Sequence, residues 1–100
     1  MNEIVKKMTK IAEELDQLIE NCTDSDQQEK LSQQLDQIYE QKSIIINKAI
    51  DEATADYQNI NKELSDAAST IKKSIEDIGK VSDTIHKVAS VITKINKLLA

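Results

Sequence analysis

The stretch that decides the fold covers residues 50–99 and reads IDEATADYQNINKELSDAASTIKKSIEDIGKVSDTIHKVASVITKINKLL. An apolar side chain recurs in it every seven residues, at Ile50, Tyr57, Leu64, Ile71, Ile78, Ile85, Ile92 and Leu99. The position three residues after each of the first seven is Ala, Ile, Val or, once, Ser. This is the heptad pattern of helices that pack along a seam. The stretch therefore predicts helices whose apolar seam is buried against other helices.

The composition of the whole chain leaves few alternatives to a helical fold. The 100 residues contain no Pro, one Gly, no Phe, no Trp and two Tyr. Such a chain lacks the turn residues that a sheet or a compact α+β fold requires. We therefore predict an all-α fold class and a single helical domain over residues 1–100.

The N-terminal segment predicts a first amphipathic helix over about residues 2–22. Its apolar side chains follow one another at alternating spacings of four and three: Ile4, Met8, Ile11, Leu15, Leu18 and Cys22. A run of short polar residues ends it, and Glu29 stands three residues after Asp26, which is the spacing of a capping box. We expect a tight turn there and a second helix that runs antiparallel to the first.

Two architectures fit the remainder, and they differ in whether the chain turns again. An unbroken helix over residues 26–100 would be roughly 110 Å long at 1.5 Å per residue and would need an oligomeric coiled coil to be stable. A turn within Asn59–Ser65, where cap-forming side chains cluster, would instead give helix 2 over about 26–62 and helix 3 over about 66–99. We favour the turn, which predicts an antiparallel three-helix bundle or coiled-coil hairpin, with the extended oligomeric coiled coil as the alternative.

The charges are unevenly distributed along the chain. Residues 11–66 hold 14 acids against 4 Lys, whereas residues 67–100 hold 6 Lys against 3 acids. An acidic face could dock a basic partner, although a solvated surface is the simpler interpretation. The candidate partner face in the acidic middle consists of Glu40, Asp51, Glu52, Asp56 and Glu63.

The C-terminal residues 86–99 form a second candidate surface. They are amphipathic and carry three Lys and no acid, as helices that lie on anionic membranes do. The candidate membrane or groove face consists of Val88, Ile92, Ile95 and Leu99. Core packing is the preferred interpretation of the same side chains, because the heptad frame runs into them without a break; a partner helix in a groove is the other alternative.

No residue pattern predicts catalysis, a cofactor or a metal site. His86 is the only histidine, and no Gly-rich phosphate loop occurs. A carboxylate-bridged metal centre would need further inward-pointing His and Glu side chains. The absence of Arg and the presence of only two Tyr argue against nucleic-acid binding. We therefore predict that the chain is not an enzyme and binds no cofactor, metal or nucleic acid.

Neither a signal-peptide pattern nor a run of about 20 apolar residues occurs, which predicts a cytoplasmic protein and leaves signal-independent secretion as an alternative. In length and helical pattern the chain resembles small secreted WXG-type proteins, but it lacks their Trp-x-Gly turn and we assign no family. The leading hypothesis is a non-enzymatic protein-protein interaction module, such as a chaperone, inhibitor or assembly subunit. Its partner would be another protein or a second copy of itself. The alternative is a membrane-associated protein that uses its basic amphipathic C-terminal helix.

Overall fold

A computed structural model describes residues 3–48, 50 and 53–100. In these residues the chain forms four α-helices and no strand, which confirms the all-α class. The helices are α1 (Glu3–Asn21), α2 (Ser25–Ile46), α3 (Ala55–Glu76) and α4 (Val81–Leu99), with a 3-10 turn at Ile78–Lys80 before α4.

The turn between α1 and α2 lies where the polar run predicted it. Asp24 has extended backbone dihedrals, and its Oδ1 accepts a hydrogen bond from the Gln27 amide at 2.9 Å. Asp24 is therefore the N-cap, three residues before Gln27, rather than the predicted Asp26. Gln28 Nε2 also donates to the carbonyl oxygens of Ile19 and Cys22 at the end of α1, at 3.1 and 2.8 Å.

The turn predicted at Asn59–Ser65 is wrong, because these residues lie inside α3. α2 instead ends at Ile46, and Thr54 caps α3 by accepting a hydrogen bond from the Tyr57 amide at 3.2 Å. Polar side chains are tolerated within a helix when they face solvent or bond the preceding turn. Asn59 and Ser65 are both exposed, and Ser65 Oγ lies 3.4 Å from the Asn61 carbonyl oxygen.

The predicted helix 3 is also wrong in its bounds, because the chain reverses within it. α3 ends at Glu76, and Asp77 Oδ1 accepts a hydrogen bond from the Gly79 amide at 3.1 Å in the turn that follows. The turn is short enough that the heptad frame continues across it in phase. Beside it, the buried hydroxyls of Ser74 and Thr84 lie 2.6 Å apart and tie the end of α3 to the start of α4.

The helices pack around a shared apolar core in a four-sided arrangement. α1 packs against α2 and α3, and α4 packs against α3 and α2. Consecutive helices run antiparallel, so α1 is parallel to α3 and α2 is parallel to α4. Because the chain folds back on itself, it measures 40 × 21 × 20 Å along its principal axes. The unbroken helix over residues 26–100, which was the alternative prediction, is therefore not formed. The fully buried side chains include Ile4, Met8, Leu15, Leu18, Leu31, Ile38, Leu64, Ile71 and Ile95.

Candidate functional site

The predicted acidic partner face does not form one surface. Asp51 and Glu52 lie outside the described residues. Glu40 is on α2 and lines a groove between α2 and α4, whereas Asp56 and Glu63 are on α3 and line a groove between α3 and α4. The described acids of this set therefore belong to two separate grooves.

The groove that contains Asp56 and Glu63, which we name the Glu63 groove, has a volume of about 540 Å³. Its lining combines charged side chains with a buried apolar floor. The lining residues are Asp56, Asn59, Ile60, Lys62, Glu63, Asp66, Lys94, Lys97 and Leu98. Three acids and three lysines balance one another, so this groove has no strong net charge.

Glu63 joins α3 to α4 by two ion pairs. Its Oε2 lies 2.9 Å from Lys87 Nζ, and its Oε1 lies 2.9 Å from Lys94 Nζ. The hydrogen bonds from Lys87 and Lys94 lower the pKa of the Glu63 carboxyl below its ordinary value. Because both carboxylate oxygens already have a cationic partner, Glu63 does not present a free negative charge to a basic protein.

A second groove between α3 and α4, which we name the lysine groove, lies on the turn side of Glu63. It has a volume of about 560 Å³ and is lined by Thr70, Lys73, Lys80, Asp83, His86, Lys87 and Ser90. Three lysines face a single carboxylate. Among the described residues, neither Lys73 nor Lys80 forms an ion pair. Four lysines follow one another at intervals of seven residues: Lys73, Lys80, Lys87 and Lys94. This spacing is hard to notice in the sequence because the apolar residues repeat with the same period.

The α2–α4 interface contains buried glutamines at positions where a helix seam normally carries apolar side chains. Gln34 and Gln41 are 7% and 4% exposed, and their Nε2 atoms donate to the carbonyl oxygens of Ile85 and Ile92 at 2.8 and 2.9 Å. Gln41 Nε2 also lies 2.8 Å from Asn96 Oδ1. Both Oε1 atoms are buried and have no hydrogen-bond partner within the described chain. No residue pattern distinguishes these two from the other glutamines of α2.

Besides its buried apolar residues Leu31, Ile38 and Ile45, α2 carries three large apolar side chains that are exposed. Tyr39 is 50% exposed, Ile44 is 40% exposed and Ile46 is 61% exposed. Tyr39 and Ile46 are seven residues apart and share one side of the helix, whereas Ile44 lines the α2–α4 groove with Glu40. That groove has a volume of about 200 Å³ and is also lined by Gln37, Gln41, Ile92 and Asn96.

The predicted membrane or groove face lies inside the helix packing. Val88, Ile92 and Ile95 are 1%, 6% and 0% exposed, and Leu99 is half-buried against the core. Contact of these side chains with a membrane would require α4 to leave its neighbours. No helix within the described ranges combines the length and the apolar character needed to cross a membrane.

Glu14 is a buried acid that sequence reasoning missed. It lies in a pocket of about 200 Å³ with Gln17, Lys72, Ile75 and Glu76, and its Oε2 has no hydrogen-bond partner among the described atoms. Burial raises the pKa of the Glu14 carboxyl, an effect that Lys10 and Lys72 partly offset. The signal in the sequence was its position three residues after Ile11 and four before Leu18, at the edge of the apolar stripe.

His86 is exposed and lines the lysine groove. Within the described part of the chain, no three His, Cys, Asp or Glu side chains are grouped so that they could hold a metal ion. Comparison with known proteins adds no assignment. No protein-family model matches the chain, and no curated protein or solved structure is significantly similar to it.

Proposed function

We propose that this protein is a non-enzymatic protein-protein interaction module that acts through the C-terminal half of α2. The observation that carries the proposal is the exposure of three large apolar side chains in this part of the helix. Tyr39 and Ile46 share one exposed side, and Ile44 is exposed beside the α2–α4 groove. Apolar side chains grouped on an exposed face mark interaction surfaces more often than scattered ones do.

The expected partner surface is apolar at its centre and polar at its rim. Full burial of a large apolar side chain contributes about 1.5 to 3 kcal/mol, so three half-exposed ones contribute about half of that each. A stable interface buries about 800 Å² on each partner, which is more than these three side chains supply. The neighbouring polar residues Glu40 and Ser43 would therefore form part of the contact and its rim.

The polar α2–α4 seam also supports an exposed role for α2. Leucines at 34 and 41 would bury more apolar surface against α4 than the amides do. α2 packs Leu31, Ile38 and Ile45 into the core and still leaves three large apolar side chains exposed. A helix acting only as scaffold would not need these exposed apolar side chains.

The experiment is site-specific photocrosslinking in the cells that make the protein. A photoreactive residue replaces Tyr39, Ile44 or Ile46, one at a time, and the matched control replaces Ser32. Ser32 is exposed and lies seven residues before Tyr39, on the same side of α2 but one heptad nearer its start. We expect one adduct of defined mass from the three test positions and little from the control.

A second variant makes the result specific. Ile44→Glu with Ile46→Glu should abolish the adduct formed from position 39, and should weaken binding of the purified, identified partner at least about tenfold, as loss of a central contact does. Far-UV circular dichroism checks that the helices are retained. Equal adduct yields at Ser32 and Tyr39, or unchanged affinity of the folded double variant, would refute the proposal.

A further inference from the structure

The lysine groove has a complement elsewhere on the same molecule. The residues around the α1–α2 turn, 20–29, contain four exposed acids and no lysine, and we name them the acidic turn: Glu20, Asp24, Asp26 and Glu29. The groove, in contrast, presents Lys73 and Lys80 without an ion pair among the described residues. The negatively charged turn and the positively charged lining of the groove are complementary in sign.

The two surfaces lie at the same end of the molecule but on opposite sides of it. α1 and α3 run in the same direction, so the α1–α2 turn and the α3–α4 turn are at one end. In the four-sided packing, the α1–α2 side is opposite the α3–α4 side. The acidic turn of one molecule is therefore free to reach the groove of a neighbour placed beside it.

We propose that the lysine groove binds the acidic turn of a second copy of this chain. Lys73 and Lys80 would pair with Glu20 and Glu29 of the neighbouring molecule. Complementary charges of this kind steer association and set the orientation of the partners. The contact does not involve Tyr39, Ile44 or Ile46 of α2, which leaves these side chains available for a different protein.

The contact uses two different surfaces, so it does not close on itself after two copies. A heterologous interface gives a ring when its rotation closes and an open chain when it does not. The net charge of −5 opposes the approach of two copies, and local attraction between the patches has to exceed that repulsion. We therefore expect weak association that depends strongly on protein concentration and on salt.

Sedimentation velocity of the full chain tests this. At about 0.05 M salt, where charges interact over more than about 10 Å, the average mass should rise above 11.2 kDa as concentration increases. At about 0.5 M salt, where the screening length falls below about 8 Å, it should return to that of the monomer. A mass of 11.2 kDa at all concentrations in low salt would overturn the proposal.

Charge reversal identifies the surfaces. Lys73→Glu with Lys80→Glu, and separately Glu20→Lys with Glu29→Lys, should each abolish association. Neither change touches the capping Asp24. An equimolar mixture of the two variants should associate again, because the unaltered turn of the first meets the unaltered groove of the second, and the basic turn of the second meets the acidic groove of the first.

A matched control separates local from total charge. Lys6→Glu with Lys10→Glu changes two exposed lysines on α1 and shifts the net charge by the same amount as the groove variant. It should associate as the unaltered chain does. Failure of the mixture to associate, or equal loss in the α1 control, would overturn the proposal. Association that survives both groove and turn changes but is lost in Ile44→Glu would assign self-contact to α2 instead.

Discussion

Gln41 donates a hydrogen bond from Nε2 to the carbonyl oxygen of Ile92 at 2.9 Å, across the parallel interface between α2 and α4. Gln34 makes the same bond to Ile85, and Lys48 Nζ lies 2.8 Å from the Leu99 carbonyl oxygen. Each donor is 51 residues before its acceptor, so three donors spaced by seven meet three acceptors spaced by seven. This ladder fixes the register of the two helices.

The ladder costs stability because two amide oxygens are buried without a partner. We expect the double change Gln34→Leu with Gln41→Leu to raise the free energy of unfolding by up to about 1 kcal/mol, because it removes the two unpartnered amide oxygens while the Ile85 and Ile92 carbonyl oxygens keep their hydrogen bonds within α4. Urea unfolding measures the change. A loss of stability would show that the ladder contributes more than its unsatisfied oxygens cost. Gln41→Ala is the control and should destabilise the fold, because it leaves a cavity.

Glu63 should stabilise the fold in a pH-dependent way. Its pKa is lower in the folded chain, so its contribution is fully present above the unfolded-state pKa and is lost as pH falls through the folded-state pKa. Glu63→Gln should lower the free energy of unfolding at neutral pH by about 1 kcal/mol, the upper range for partly exposed ion pairs. Thermal unfolding of the two proteins as a function of pH measures the loss of stability at neutral pH and its dependence on pH. If Glu63→Gln still lowers the stability at a pH well below the pKa values of carboxyl groups, the ion pairs are not the cause of the loss.

Glu14 should have the opposite effect. Burial raises its pKa, so the folded state binds a proton more readily than the unfolded state does, and the charged carboxylate destabilises the fold above the folded-state pKa. Glu14→Gln should therefore unfold at a higher temperature than the unaltered chain at neutral pH. The difference in unfolding temperature between this variant and the unaltered chain should become smaller as pH falls through the folded-state pKa of Glu14. Glu20 is exposed on the same helix and does not contribute to this pKa shift, so Glu20→Gln is the matched control and should change little.

The hydroxyl pair beside the α3–α4 turn should be energetically coupled. Ser74 Oγ lies 2.6 Å from Thr84 Oγ1 and 2.9 Å from the Lys80 carbonyl oxygen. Thr84→Val should cost about 1 to 2 kcal/mol, because it removes one partner and leaves the other buried. In a double-mutant cycle with Ser74→Ala, the sum of the single losses should exceed the loss in the double variant. Additive losses would mean that the two hydroxyls do not share a bond.

The sequence alone predicted the helical class and most of the buried seam, but not the number of helices; Ile78, which the heptad frame assigned to the seam, is 44% exposed in the α3–α4 turn. Heptad spacing counts residues and therefore continues in phase across the short turn at Ile78–Lys80, where Gly79 was the only local signal. The cap-forming residues 59–65 suggested a turn, yet propensity is a weak guide when the same side chains can face solvent. Thr54, the true cap of α3, is a single residue in a stretch without Gly or Pro.

The candidate surfaces were less predictable because each depends on pairing between distant residues. Charge counting identified Glu63 as an acid, but its two lysine partners lie 24 and 31 positions further along the chain. The exposure of Tyr39 and the burial of Gln41 depend on which side of α2 faces α4. A periodic pattern as weak as that of α2 leaves this choice open.

The hydrogen bonds between the first two helices and the last two join residues with similar sequence separations, from 51 to 54. The Ile4 amide bonds Tyr57 Oη 53 residues on, Lys7 bonds the Asn61 carbonyl 54 residues on, and the α2–α4 ladder spans 51. Each half is thus a helical hairpin laid side by side with the other, in the same orientation. The segment that links α2 to α3 raises the local concentration of one hairpin around the other. We expect a chain cut in that segment to remain assembled as a complex of two fragments. Each fragment is a hairpin that contains its own turn and contributes half of the shared core.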